Sequence, residues 1–127
     1  MLAILALIAL LQAGQPAAQN PEITTMKANL GGACSADFLV KDTDGKPVYG
    51  AIVHVRVRYG FMNVKRADLE IGTSSEGKAR IEGLPDKAKP LAYDVKKDDK
   101  MATADQEVEK NCHATFELTL KKAEAGS

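Results

Sequence analysis

Val40-Lys41-Asp42-Thr43-Asp44-Gly45-Lys46-Pro47-Val48-Tyr49-Gly50-Ala51-Ile52-Val53-His54-Val55-Arg56-Val57-Arg58-Tyr59 is the stretch that decides the fold. It predicts a strand, a tight turn and a long second strand, read as a central hairpin. Asp44-Gly45 supplies the turn, because glycine accepts positive φ and aspartate tolerates it better than most residues. Beyond it, Val53, Val55 and Val57 alternate with His54, Arg56 and Arg58. One face is apolar and the other charged, the pattern of a half-buried antiparallel strand. A two-layer all-β domain follows.

The rest of the chain repeats that signature. Cys34 to Lys41 sets Ala36, Phe38 and Val40 against Asp37, Leu39 and Lys41. Short strands are also expected over Leu69 to Thr73, Lys78 to Leu84 and Leu91 to Lys97, and a weakly patterned edge strand over Met101 to Val108. Asp105, Glu107 and Glu109 there discourage edge-to-edge pairing. Cys112 to Leu120 closes the sheet, with Ala114, Phe116, Leu118 and Leu120 facing in. Pro85 ends one strand, since it cannot donate a ladder hydrogen bond. About seven short strands at turn spacings near ten residues suggest a β-sandwich.

At 127 residues the chain is one domain by length. Lys plus Arg and Asp plus Glu number 17 each, so the electrostatic case for a nucleic-acid partner is absent. The core must rest on aliphatic side chains, since there is no Trp and only three Phe and three Tyr.

Met1 to Leu11 is an unbroken apolar run carrying Leu2, Ile4, Leu5, Leu7, Ile8, Leu10 and Leu11, followed by small and polar residues to Gln19. It fits the hydrophobic region of a secretory signal, with cleavage after Ala13 or Ala18. Yet no Lys or Arg precedes it, and neither site has a clean pair of small residues. The other expectation is a retained helix that anchors the protein or packs against other helices. The run is short for a bilayer, which takes about 20 apolar residues. The domain organisation expected is 1–18 signal peptide or retained hydrophobic helix, 19–33 linker or edge strand, 34–122 sandwich and 123–127 polar tail.

Cys34 and Cys112 are expected to form a disulfide, as exported chains keep such bonds, and the alternative is two buried thiols. Closing so long a loop contributes roughly 4 kcal/mol in the chain-entropy model. Gly60 to Asp68 breaks the alternation and reads as a loop, with Phe61, Met62 and Val64 beside the basic pair Lys65-Arg66. Apolar residues on a charged loop define a partner-binding surface. The competing reading folds them back to cap one end of the sandwich. Arg56, Arg58, Lys65 and Arg66 together offer a basic patch for an acidic partner, or a solvated face.

The motifs then go further. Val40-Lys41-Asp42, Asp44-Gly45-Lys46-Pro47-Val48, Gly50-Ala51-Ile52-Val53, Thr73, Glu76-Gly77-Lys78-Ala79, Ile81, Gly83-Leu84-Pro85 and Tyr93-Asp94-Val95 resemble the carboxypeptidase regulatory-like and the related transthyretin-like or Cna-B-type domains. The resemblance spans Phe38 to Val95. It implies an immunoglobulin-like (transthyretin/prealbumin-like) β-sandwich, here preceded by a short hydrophobic helix. In function it implies spacers, adhesive modules and accessory domains. Some such domains make isopeptide crosslinks, for which Lys41, Asn111 and Asp37 are residues of the right type.

The common enzyme signatures are absent, and the chain is expected not to be an enzyme. No cofactor and no metal are expected. Cys34, Cys112 and His113 with a methionine have the chemistry of a copper site, which a disulfide would remove. His54 occupies an outward strand position. Asp42 with Asp44, and Asp98 with Asp99, resemble fragments of calcium loops but lack the ligand spacing, and turn formation explains them. The reading is a non-catalytic exported module, periplasmic, extracellular or membrane-associated, that binds a protein or glycan. The alternative is an accessory subunit of a membrane complex, or a pilin-like filament subunit, held by its N-terminal helix.

Overall fold

The computed structural model describes residues 23–122, and the apolar run through Leu11 and the tail 123–127 lie outside them. The described residues form two sheets packed face to face. Their strands are β1 (Thr24–Lys27), β2 (Cys34–Lys41), β3 (Ile52–Tyr59), β4 (Lys65–Gly72), β5 (Lys78–Leu84), β6 (Leu91–Lys97), β7 (Lys100–Gln106), β8 (His113–Thr119) and β9 (Lys121–Lys122). A four-stranded sheet runs β1-β5-β2-β8 and a five-stranded sheet β4-β3-β6-β7-β9. The first is mixed, with β1 parallel to β5 and β2 parallel to β8. The second is antiparallel throughout. No helix among the described residues is long and apolar enough to cross a membrane.

Alternation places the core as the sequence reading expects. Val53, Val55 and Val57 of β3, with Leu69, Ile71, Tyr93 and Val95, face Ala36, Phe38, Val40, Ala79 and Ile81 across the sandwich, and all are buried. Phe38 meets the Tyr93 ring edge-on at 4.9 Å and stacks with Phe116 at 5.5 Å, so aromatic contact joins the sheets.

The central hairpin is not one. β2 and β3 belong to different sheets, and the turn between them is a stub followed by a crossing. Asp42 N–H donates to Lys46 O, Gly45 sits at φ 82°, and Lys41 bridges Pro47. Asp42 Oδ1 accepts from the Asp44 and Lys46 amides at 2.9 and 3.0 Å. These bonds, that from Lys46 foremost, hold its carboxyl below the ordinary range. Pro47 offers no amide to continue the ladder, and the chain leaves the sheet there.

Thr73 and Gly77 receive the crossing. Thr73 Oγ1 donates to Val48 O at 2.6 Å and accepts from Ala51 N at 2.9 Å. Gly77 O accepts from Val40 N, and Val40 O in turn accepts from Val48 N. A Cβ on Gly77 would lie 2.5 Å from Val40 O, and its φ is +76°. Only glycine fits both conditions. Gly77→Ala is therefore expected to destabilise the domain by about 2 kcal/mol and lower Tm by about 10 °C. An unchanged thermal melt would show that the crossing can move aside.

Two other expectations change. Lys65 and Arg66 lie within β4, which starts four residues earlier than the alternation suggested, since β3 and β4 pair without a break from Ile52↔Gly72 to Tyr59↔Lys65. β7 is not a bare edge strand: it pairs with β6 along its length and with β9 at Lys100 and Met101. The final strand switches sheets. Leu120 still bonds Lys41 O beside β2, and the next two residues join β7.

Candidate functional site

The β3–β4 hairpin turns through Gly60 to Val64. Gly60 has φ 84°, and Met62 and Asn63 both have φ 56°. Asparagine tolerates that region, whereas methionine in it costs roughly 1 kcal/mol. Asn63 N–H donates to Gly60 O at 2.9 Å and Val64 N–H to Phe61 O at 3.3 Å, closing a short 3-10 turn over Phe61–Asn63. This geometry pushes the side chains outward. Phe61, Met62 and Val64 are 83%, 76% and 70% exposed. They do not fold back onto the sandwich end, so the capping alternative fails. Beside them a concavity of about 320 Å³ is lined by Arg56, Arg58, Arg66, Ala67 and Asp68. Another of about 520 Å³ reaches from Leu30 and Tyr59 to Phe61, Lys65 and Lys87.

The basic set is divided between two faces. Lys65 lies opposite Tyr59, its ammonium 6.0 Å from the ring centroid, on the core side of the hairpin. Arg58 and Arg66 are directly opposed on the outer side, one step beyond Arg56 and Asp68. Asp68 Oδ1 takes Arg56 Nε at 3.4 Å and His54 Nε2 at 3.3 Å. A single patch of four basic residues does not form.

Cys34 and Cys112 are joined in a disulfide that closes 78 residues. The copper grouping is thereby dispersed: both sulfurs are in that bond, the Asp86 carboxylate lies near them, and His113 Nδ1 lies 2.9 Å from Ser35 Oγ. The crosslink types do not converge either. Asp37 chelates Arg80 Nη1 at 2.9 and 2.8 Å, with Glu82 taking Arg80 Nε, and Lys41 pairs with Glu117. Glu82 first and Asp37 second raise the Arg80 pKa.

Sequence reasoning missed a buried polar node next to the disulfide. Gln106, 2% exposed, accepts from Tyr93 Oη at 2.7 Å. Its Nε2 donates to Ser35 O at 3.1 Å and Asn111 O at 2.8 Å. The node links β6 and β7 to the start of β2 and the approach to β8. Burial pushes the Tyr93 phenol pKa up. The available signal was Gln106 at the inward parity of Ala102 and Ala104.

Fold and hairpin together define a disulfide-closed β-sandwich with an exposed apolar tip. No family model and no curated protein matches the chain. Solved structures share the fold. Shaft pilin SpaA from Lactobacillus rhamnosus GG matches at 10% identity and TM-score 0.52, over 76% of this chain and 48% of the pilin chain. The Bacillus anthracis TIE protein matches at 15% identity and TM-score 0.51, over 72% of this chain and 17% of its own. Wild-type catechol 1,2 dioxygenase from Acinetobacter radioresistens matches at 15% identity and TM-score 0.54, over 88% of this chain and 61% of that one. This chain thus spans about half the length of the pilin chain. These likenesses show a β-sandwich fold. The dioxygenases correct the expectation that the chain is not an enzyme: the same fold carries catalysts, so fold and missing motifs do not exclude an activity.

Proposed function

We propose that this chain is an exported surface module of carboxypeptidase regulatory-like or Cna-B type that docks a protein partner through the β3–β4 tip, with Phe61, Met62 and Val64 as the apolar contact and Lys65 and Arg66 beside it. The exposure of three large apolar side chains on one turn carries this reading, since such residues cluster at interaction sites. The disulfide supports an oxidising compartment. A second reading, a filament or envelope-complex subunit held by Leu2, Ile4, Leu5, Leu7, Ile8, Leu10 and Leu11, draws support from the shaft-pilin neighbours and the apolar run.

A photoreactive residue placed at position 61 in the native host tests both. The expected outcome is a discrete adduct that disappears with Met62→Ser. An adduct of two copies of this chain favours the filament subunit, and one with a different protein favours the docking module. Labelling no stronger than from position 44, at the other end of the domain, overturns the assignment of the tip.

A further inference from the structure

We infer that Arg58 and Arg66 form an anion-recognition cleft that takes the carboxylates of a short acidic protein segment lying along β4. The inference rests on the docking role proposed for this hairpin and names its chemistry. Arg58 and Arg66 are cross-strand neighbours in register, on the outer face of the five-stranded sheet. Like charges placed opposite one another destabilise a sheet. One step along, Arg56 has Asp68; among the described residues no ion pair engages Arg58 or Arg66. Two guanidinium groups lining one concavity of about 320 Å³ present paired forks to a carboxylate.

The length and class of the ligand follow from the surroundings. β4 is the edge of its sheet, with backbone groups on its free side for an added strand. Asp68 lines the same concavity, and farther along the face come Glu70 opposite His54 and Asp94 on His54's other side. That change of sign repels a continuous polyanion, and the chain as a whole has a formal net charge of +0. An anionic membrane plane would meet those carboxylates as well. A segment with acidic residues only where it passes Arg58 and Arg66 meets just Asp68 of these carboxylates, and that one is already paired with Arg56 and His54.

The test is an amide NMR titration of the folded protein with a tetraglutamate peptide. Chemical shifts are expected to move at Arg58, Arg66 and the β4 edge, and to weaken from about 50 to about 500 mM salt. Arg58→Ser/Arg66→Ser is expected to weaken binding about tenfold or more. Its Tm should not fall, because a repulsive pair is gone, and this separates recognition from a structural role. Lys46→Gln/Lys100→Gln, at the other end of the domain, is the matched loss of two charges and should bind as the parent does. Undiminished binding by the double arginine variant overturns the inference, as does binding to vesicles of anionic lipid without binding to tetraglutamate. Either result leaves the crosslinking test at position 61 untouched, so the two readings fail separately.

Discussion

The Cys34→Ala/Cys112→Ala variant is expected to melt roughly 20 °C below the parent protein in oxidising buffer. The bond joins residues 78 positions apart. Leaving that loop open restores unfolded-chain entropy of about 4 kcal/mol at room temperature. A domain of this size shifts its Tm by roughly 4–8 °C for each kcal/mol. Alanine avoids leaving a hydroxyl without a partner at position 34, which is buried. Reducing the parent should reproduce the loss, while reductant should leave the double variant unchanged. Equal melts for oxidised and reduced parent would show that the bond contributes nothing to stability.

Gln106→Leu should destabilise by about 3 kcal/mol, read from urea unfolding, although leucine nearly matches glutamine in volume. Tyr93 Oη loses its acceptor and the Ser35 carbonyl a donor, both buried, and the carbonyl of exposed Asn111 loses a donor as well. A loss below about 1 kcal/mol would mean that these groups find other partners. Tyr93→Phe removes one bond of the same node and should cost about 1 kcal/mol at neutral pH. That difference carries a pH signature. Burial holds the folded phenol neutral above its ordinary value of 10.0, while the unfolded chain ionises there. Above that pH the folded state binds more protons than the unfolded state, so stability falls as pH rises. The advantage of tyrosine over phenylalanine should be full below pH 10.0 and vanish about one unit higher. A difference that stays constant across that range would place the phenol in contact with water.

The strands were legible wherever one face is apolar. Val53, Val55 and Val57 alternate because β3 has one face in the core, and that alternation gives strand and facing together. Sheet membership was not legible, because alternation says nothing about which neighbour a strand meets. Residues 40–59 therefore read as a hairpin, although Pro47 and Gly50 already marked a change of direction. β4 was missed at its start because Lys65 and Arg66 are charged on both faces of a strand that runs past the end of the sandwich. At the tip, Phe61, Met62 and Val64 were visible as apolar residues in a break of pattern. Their direction depends on left-handed Met62 and Asn63, which sequence periodicity does not encode. Gln106 lay hidden because a lone polar residue at an inward position looks the same whether it is paired or misplaced.

The parallel pairing of β2 with β8 also governs when this domain can fold. Ser35 aligns with His113 and Lys41 with Thr119, so the strand made first among the long ones waits for the last of them. β5 can flank β2 earlier, but the four-stranded sheet has no second neighbour for β2 until the chain has passed Thr119. Pairings between such distant residues slow folding, because a long loop must close before any contact rewards it. The residues through Thr119 must therefore be made before β2 has both of its neighbours. The disulfide then locks the same two strands at their common end, so a pairing of residues distant in the chain is held by a covalent bond.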